Sequence, residues 1–345
     1  DRLVVADPTD IEGTKKLVSA TCGITFENEW IDTISLSPLE QEGANFYPKL
    51  DSLTPLVDKV SQRQLLDDLS IPSPSWCLLS EIDKVSLIIP EGWTFPFMAK
   101  ASRGGYDGKG TKIINNLLEL EELLHQNQSC EWLLEKWISY ETELALVISR
   151  DIEGQVRSLP LVETSQFCQV CDWALAPASV GHSVESMAYN IAASIANQIN
   201  YVGVLAIEFF YGTEGLLVNE VAPRTHNSGH FSIEACTSSQ FDQQVCIAAG
   251  LPVIDPVMIR PGALMVNLLG LYDSQVLPLE KRISQLKKIN DFHLHWYGKE
   301  IESPGRKLGH VTVLLSSKDS DIRKEEAFKA IKLIRSIWPL TNPNG

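Results

Sequence analysis

Long apolar runs, basic tracts and any ordered pattern of cysteine are missing from this sequence. No uninterrupted hydrophobic stretch approaches the roughly 20 residues of a membrane-spanning helix, so no membrane partner is expected. Lys and Arg nowhere gather into a run, and the formal net charge is −15. Duplex binding is driven by a basic stripe that neutralises phosphates, so this balance argues against nucleic acid. It leaves nucleotides open, because these need only a glycine loop and a few cations. The seven cysteines are odd in number and scattered. Cys168 and Cys171 form a C-x-x-C with no second pair and no histidine at ligand spacing, which points to free thiols in a reducing compartment, the cytoplasm. The opening DRLVVADP lacks an initiator Met and has neither signal-peptide nor transit-peptide character, so organelle targeting stays open.

What is present is the composition of a soluble globular protein, 44% hydrophobic and 21% charged, long enough for two or three packed units. Periodicity predicts helices over 11–20, from Asp58 through Leu69, over LLELEELLHQ, near 184–199, over 232–249 and near 323–337. Strands are expected at ITFEN, PFMAKAS, TKIIN, EWLLEKWI, ELALVIS, RSLPLVE, VLAIEFFY, GLLVNEVA, ALMVNLLG, HLHWYG and HVTVLLS. The two prolines of IPSPSW mark a domain edge. Small consecutive units of mixed type argue for an α/β and α+β multidomain architecture. The expected divisions are 1–57, 58–255 with a lid near 76–138, and 256–345.

The most informative stretch is VLAIEFFYGTEGLLVNEVAP, residues 204–223. Two apolar strands flank Gly212-Thr213-Glu214-Gly215, a hairpin signature. A turn centred on Glu214 sets Glu208 opposite Glu220, with Cβ atoms about 4.5–5.5 Å apart. Two carboxylates that close, on strands otherwise built of Val, Leu, Ile and Phe, repel one another and lose hydration. A divalent cation between them offsets this, as does a shared proton. Mg²⁺ suits the geometry, since it takes one or two carboxylates and completes its shell with water and phosphates. Asn219 offers a further oxygen. The alternative is that one Glu faces solvent on an edge strand.

Arg103 to Gly110, RGGYDGKG, packs four glycines into eight positions between two strand-like segments. Glycine lets backbone amides approach a phosphate closely. This is no Walker A loop, because Lys109 is followed by Gly, and no G-x-G-x-x-G occurs. A hairpin closing over a triphosphate fits, with Lys100 placing an ammonium near the phosphates; an ordinary surface hairpin is the alternative. The polar run Ala222 to His230 reads as a substrate loop or as a solvated connector. Lys299, Arg306 and Lys307 surround a Pro-Gly turn and suggest an anion site, or a merely exposed basic turn. His293 and His295 carry no assignment.

RGGYDGKG (103–110), EKWISYETE (135–143), YVGVLAIEFF (201–210), NEVAPRTHNSGHFSIEACTSSQFDQ (219–243) and HWYGKEIESPGRKLGH (295–310) together resemble one family. It is the N5-carboxyaminoimidazole ribonucleotide synthetases, ATP-grasp carboxylases of purine synthesis. The likeness runs from about Leu56 to His310. It implies an ATP-grasp fold between an N-terminal α/β domain truncated at its front and a small C-terminal domain. It further implies ATP and Mg²⁺ as cofactors, bicarbonate and 5-aminoimidazole ribonucleotide as substrates, and a homodimer. By the same resemblance Lys100 and the loop through Gly104, Gly105, Gly108 and Gly110 hold the ATP phosphates. Glu135 and the backbone of Lys136, Trp137 and Ile138 receive adenine, Glu143 the ribose, and Lys59 the nucleotide. Glu208 and Glu220 match the Mg²⁺ ligands. Tyr106, Asp107, Lys109, Arg224, His226, Asn227 and Ser228 match positions shaping the aminoimidazole and bicarbonate sites, and Lys299 and Arg306 those taking the ribonucleotide phosphate. Asp107 and His226 are candidate proton acceptors by type.

Two departures stand out. The family opens on a strand and a loop of the type GQLGRM, and this sequence starts after them. Gln166 stands where the family often has His near the nucleotide, which reads as a tuning change. Competing readings are another ATP-grasp carboxylate–amine ligase, or an inactive nucleotide-binding relative. The run Arg224 to His230 with Lys299 and Arg306 argues against the first, and retention of both Glu208 and Glu220 against the second.

Overall fold

The computed structural model describes residues 3–7, 10–84, 86–104, 110–126, 130–271 and 277–341. An N-terminal unit holds α1 (Ile11–Val18), α2 (Thr33–Gln41) and α3 (Leu50–Leu53) around the parallel pair β1 (Ile24–Thr25) and β2 (Phe46–Tyr47). Leu36, Leu39, Phe46, Leu50 and Leu53 give it a core of its own. α4 (Lys59–Asp68) follows, its first turn capped by the Asp58 carboxylate, which accepts from the Val60 and Ser61 amides. It stops at Ser70, φ +53°, just before the two prolines.

The lid is an antiparallel sheet of β3 (Trp76–Leu78), β4 (Phe97–Ala101), β5 (Thr111–Ile114) and β6 (Trp132–Lys136), in the order β3-β6-β4-β5. Strand alternation sends Phe97, Ala99 and Ala101 into a core with Leu120, Leu123 and Leu124 of α5 (Leu117–His125). Met98 and Lys100 therefore occupy the opposite face.

Behind the lid lies one nine-stranded antiparallel sheet made of β7 (Thr142–Arg150), β8 (Val156–Ser158), β9 (Val162–Phe167), β10 (Val170–Ala176), β11 (Gly203–Gly212), β12 (Gly215–Ala222), β13 (Gly262–Leu269), β14 (Phe292–Trp296) and β15 (Lys307–Leu315). The order is β12-β11-β7-β9-β10-β13-β15-β14, with β8 on the flank of β7. RSLPLVE makes two strands rather than the single one expected, because Pro160 has no amide to give a ladder. Leu205, Ile207 and Phe209 of β11 pack with Leu66 and with α6 (His182–Gln198), whereas Val204 and Ala206 face the other way, against Phe231 and Ala235. The helix expected over 232–249 is two, α7 (Ser232–Ala235) and α8 (Gln240–Ala248). Ser239 and Asp242 form a capping box that restarts the chain as α8.

Strands β13, β15 and β14 belong to the segment 256–345, yet they continue the same sheet through the β10–β13 ladder. α9 (Leu279–Leu286) and α10 (Ser320–Ile337) cover them, with Leu264, Leu308, Ile334 and Trp338 fully buried between. Among the described residues no helix is long and apolar enough to cross a membrane.

Candidate functional site

Along β11 the face that carries Val204 and Ala206 ends in Glu208, a carboxylate where the pattern calls for an apolar residue. Glu208 pairs with Glu220 on one side and Ala145 on the other, and Glu143 lies opposite Phe210 and Thr164. Glu220, Glu208, Glu143 and Gln166 thus share one face at one end of the sheet. The facing carboxylates are as expected, but the route differs. Gly212 pairs with Gly215, so the turn is Thr213-Glu214 alone, with Gly215 at φ +87°. That register would oppose Glu208 to Asn219. A β-bulge between Phe209↔Val218 and Glu208↔Glu220 inserts Asn219 as the extra residue and brings Glu220 into line.

Cations from three directions meet this pair. Lys59, opening α4, places Nζ 2.5 Å from Glu220 Oε1. Lys100, from the lid, donates to Asn219 Oδ1 at 3.1 Å and pairs with Glu135 Oε2 at 2.7 Å. Arg63 takes the other Glu135 oxygen at 2.7–2.8 Å. Both Glu135 oxygens are paired and its side chain is 3% exposed, so it joins Arg63 to Lys100. The Lys136 amide donates to Ser75 O at 2.9 Å, and Trp137 and Ile138 follow past the end of β6.

The electrostatics separate the two acids. Burial, then Glu220 and Glu143, push Glu208 up to about 7. Burial also opposes ionisation of Glu220, but Lys59 and Lys100 outweigh it and hold that carboxyl down to about 2. Burial lowers Lys100, with Glu135 acting against it, and keeps the Glu143 carboxyl above its ordinary range. Glu143 accepts from Tyr140 Oη at 2.6 Å and from Gln166, which fixes its direction. Tyr140 in turn stacks on Phe210, with centroids 4.6 Å apart.

The polar loop closes the site over the face of the sheet that carries Glu208. Arg224 is clamped by Glu29 of the N-terminal unit, with Nε–Oε2 at 2.5 Å and Nη2–Oε1 at 3.2 Å. His226 Nδ1 accepts from Ser228, so its proton is on Nε2, 3.3 Å from Glu208 Oε1. Burial, then Arg224 and Lys307, lower His226 to about 3. Both His226 nitrogens are thus engaged, one by Ser228 and the other toward Glu208. Ser228 is 1% exposed and contacts His226 Nδ1. Asn227 opens the 3₁₀ turn Asn227–Gly229, and Gln240 pins that turn by pairing with both His226 N and His226 O.

The C-terminal strands add Lys307, whose charge is felt at Glu208, His226 and His230. Lys299 donates to Lys307 O at 2.7 Å, and Arg306 is exposed at the start of β15. His295 stacks on buried His310 and reaches Glu234 at 2.6 Å. Of the glycine loop, Gly104 and Gly110 have φ of +75° and +81°. Gly105, Tyr106, Asp107, Gly108 and Lys109 lie outside the described residues.

Among the described residues no cluster of three or more His, Cys, Asp or Glu is arranged to hold a metal. Two opposed carboxylates, one resisting ionisation because of burial and then of the other's charge, fit a cation that takes the rest of its shell from phosphate and water. Sequence reading had not singled out Glu29, Gln62, Arg63 or Gln240. For Gln62, Arg63 and Gln240 the available signal was polar side chains at helix positions whose spacing belongs to the buried face; Glu29 lies outside any helix.

Comparison with known proteins agrees with this geometry. The ATP-grasp domain family matches residues 64–241, and the phosphoribosylaminoimidazole carboxylase C-terminal domain matches residues 263–324. A N5-carboxyaminoimidazole ribonucleotide synthase of Synechococcus elongatus is 41% identical over 100% of this chain and 86% of its own length. One from Bacillus subtilis is 30% identical over 93% and 82%. Among solved structures, the Aspergillus clavatus carboxyaminoimidazole ribonucleotide synthase complexed with ATP superposes with a TM-score of 0.87 at 27% identity, covering 98% of this chain and 87% of that one. The Aspergillus clavatus enzyme in complex with ADP and 5-aminoimidazole ribonucleotide gives 0.86 at 25% identity, over 97% and 86%.

Proposed function

Since the chain belongs to the N5-carboxyaminoimidazole ribonucleotide synthase family of ATP-grasp ligases, we propose that it carboxylates 5-aminoimidazole ribonucleotide at the expense of ATP and bicarbonate. The observation that carries the reading is Glu208 facing Glu220 under cations from both the lid and α4.

Bicarbonate is a poor electrophile. Transfer of the γ-phosphoryl group of ATP to a bicarbonate oxygen gives carboxyphosphate and ADP. The exocyclic amine of the aminoimidazole then attacks the carboxyl carbon, phosphate leaves, and the nitrogen loses a proton. Glu208 and Glu220 are the residues that would hold Mg²⁺, which when bound offsets charge on the transferring group. Lys59 and Lys100 add fixed positive charge beside the phosphates, which needs no rearrangement at the moment of reaction. Glu143, steered by Tyr140 and Gln166, is placed for the ribose hydroxyls, and Trp137 and Ile138 for adenine. Arg224, held rigid by Glu29, faces the bicarbonate side with Asn227. Lys299, Arg306 and Lys307 form the cationic end for the ribonucleotide phosphate. Tyr106, Asp107 and Lys109 belong to the closing loop, whose task is to keep carboxyphosphate from water.

The test is ADP release with each substrate omitted in turn. Turnover is expected only with ATP, bicarbonate and the ribonucleotide all present, and turnover independent of either of the last two overturns the assignment. The expected assembly is a homodimer, read by sedimentation equilibrium.

A further inference from the structure

The parity of β12 changes at Asn219. Before it, Leu216 and Val218 point into the core shared with α6; after it, Val221 does, while Ala222 packs on the opposite face. A strand without the extra residue would put Glu220 into that apolar core and turn Asn219 toward Glu208, because a one-residue slip moves every side chain to the other face. The opposition of the two carboxylates therefore depends on one bulge. β12 is also the edge of its sheet, so the carbonyls of the bulge have no strand beyond them.

One face of α4 supplies what the missing strand would. Lys59, Gln62 and Arg63 are spaced i, i+3 and i+4 and line up on that face. Gln62 Nε2 donates to Val221 O at 2.9 Å and its Oε1 accepts from Val221 N at 2.8 Å, so a side-chain amide replaces a strand peptide. Arg63 Nη1 donates to Val218 O at 3.1 Å and Nη2 to Asn219 O at 2.7 Å, one on each side of the bulge. Gln62 and Arg63 are 4% and 3% exposed. A buried guanidinium is retained only where its charge and donors are matched, and the Glu135 carboxylate completes this one.

We infer that Gln62 and Arg63 are positioning residues that hold the bulge and thereby set the alignment of Glu208 with Glu220. Neither touches substrate. The inference rests on the reading of those two carboxylates as the metal–nucleotide site. Gln62→Leu removes the Val221 pairing without altering charge. Arg63→Met removes the fork, and Arg63→Lys keeps its charge and restores part of its donor capacity. Leu66→Ala, in the apolar core on the same helix, controls for lost stability alone.

The readout is Mn²⁺ binding to the ADP-loaded full chain, followed by the loss of the free-ion electron paramagnetic resonance signal, with thermal melting alongside. Loss of groups that orient metal ligands weakens metal affinity about 10–100-fold. Gln62→Leu and Arg63→Met are expected to weaken Mn²⁺ binding by about 10-fold or more while metal-free ADP binding stays within about twofold, with Arg63→Lys recovering part of the loss. Leu66→Ala is expected to melt at least as early with normal Mn²⁺ affinity. If Arg63→Met does not fold, Gln62→Leu decides alone. Unchanged Mn²⁺ affinity in Gln62→Leu, or a loss no larger than in Leu66→Ala, overturns the positioning role. Unchanged Mn²⁺ affinity in Glu220→Gln overturns instead the underlying site reading.

Discussion

Replacing Glu208 with Gln isolates the cost of keeping two carboxylates together. Burial and the charges of Glu220 and Glu143 raise Glu208 from an ordinary 4.5 to about 7. Between those values the folded chain keeps a proton that the unfolded chain releases, so stability declines as pH rises through that window. Above it the loss totals about 3 kcal/mol, at about 1.4 kcal/mol per tenfold shift in proton affinity. For a chain of this length that is about 5 °C in melting temperature. Gln has nearly the same shape and no proton to lose. Three histidines, His310 buried and His226 and His230 partly so, act in the opposite sense. Burial leads in lowering His226 and His230 to about 3 and His310 to about 2, whereas unfolded imidazoles take up protons below about 6.5. The histidines therefore withdraw stability as pH falls, and only the difference between variant and parent curves reports Glu208. Scanning calorimetry in chelator is expected to show similar melting near about pH 5 and a variant more stable by about 5 °C near about pH 8. Mg²⁺ with ADP should then stabilise the parent more than the variant, since a ligand stabilises in proportion to its affinity for the folded state. A difference that does not vary with pH would refute the claim that Glu208 is desolvated against Glu220.

Glu220→Gln should cut turnover by about 100-fold or more, the scale on which removing one element of transition-state charge stabilisation acts, with little loss of folding; near-normal rates in a steady-state assay would take it out of the site. Arg306→Ala should raise the KM for the ribonucleotide with kcat retained, because the contact is made equally in ground and transition states, and an unchanged KM contradicts the phosphate role. Gly270→Ala should destabilise by about 3 kcal/mol, because the new Cβ would lie 2.0 Å from the Ser303 carbonyl oxygen, a backbone atom with little room to move; a melting temperature equal to the parent's would count against the close approach of these two segments.

Much of the site was legible because its chemistry is local. The Glu208 and Glu220 pair, Lys100 and the polar loop each lie within one hairpin or one strand end, where spacing alone assigns a face. The errors came from features that are not local. The bulge at Asn219 follows from Arg63 and Gln62, about 155 residues earlier in the chain, and no pattern within 204–223 announces it. The ion pairs of Glu135 were out of reach because its partners, Arg63 and Lys100, are brought to it by tertiary folding. Glu29 carried no mark of its pairing with Arg224 for the same reason. Apolar periodicity found α4 but says nothing of what its inner face meets. Near its start that face is Gln62 and Arg63, because it meets a strand edge rather than a hydrophobic core. The split of 232–249 was written in Ser239 and Asp242, a capping box inside an otherwise helical stretch.

The buried glutamines explain how so charged a site is held in place. Gln62 pairs with both backbone groups of Val221, and Gln240 does the same for His226. Gln244 accepts from Val204 N and donates to Tyr47 O, tying β11 to the N-terminal unit. A primary amide offers a donor and an acceptor side by side, which matches a peptide group and adds no net charge. Glutamate at position 62 would lose the bond to Val221 O and place a third negative charge beside Glu208 and Glu220, while lysine would have nothing to accept from Val221 N. With much of the backbone alignment assigned to neutral side chains, the field at the carboxylate pair comes largely from Lys59, Lys100 and Lys307, whose positions the fold fixes separately through α4, the lid and β15.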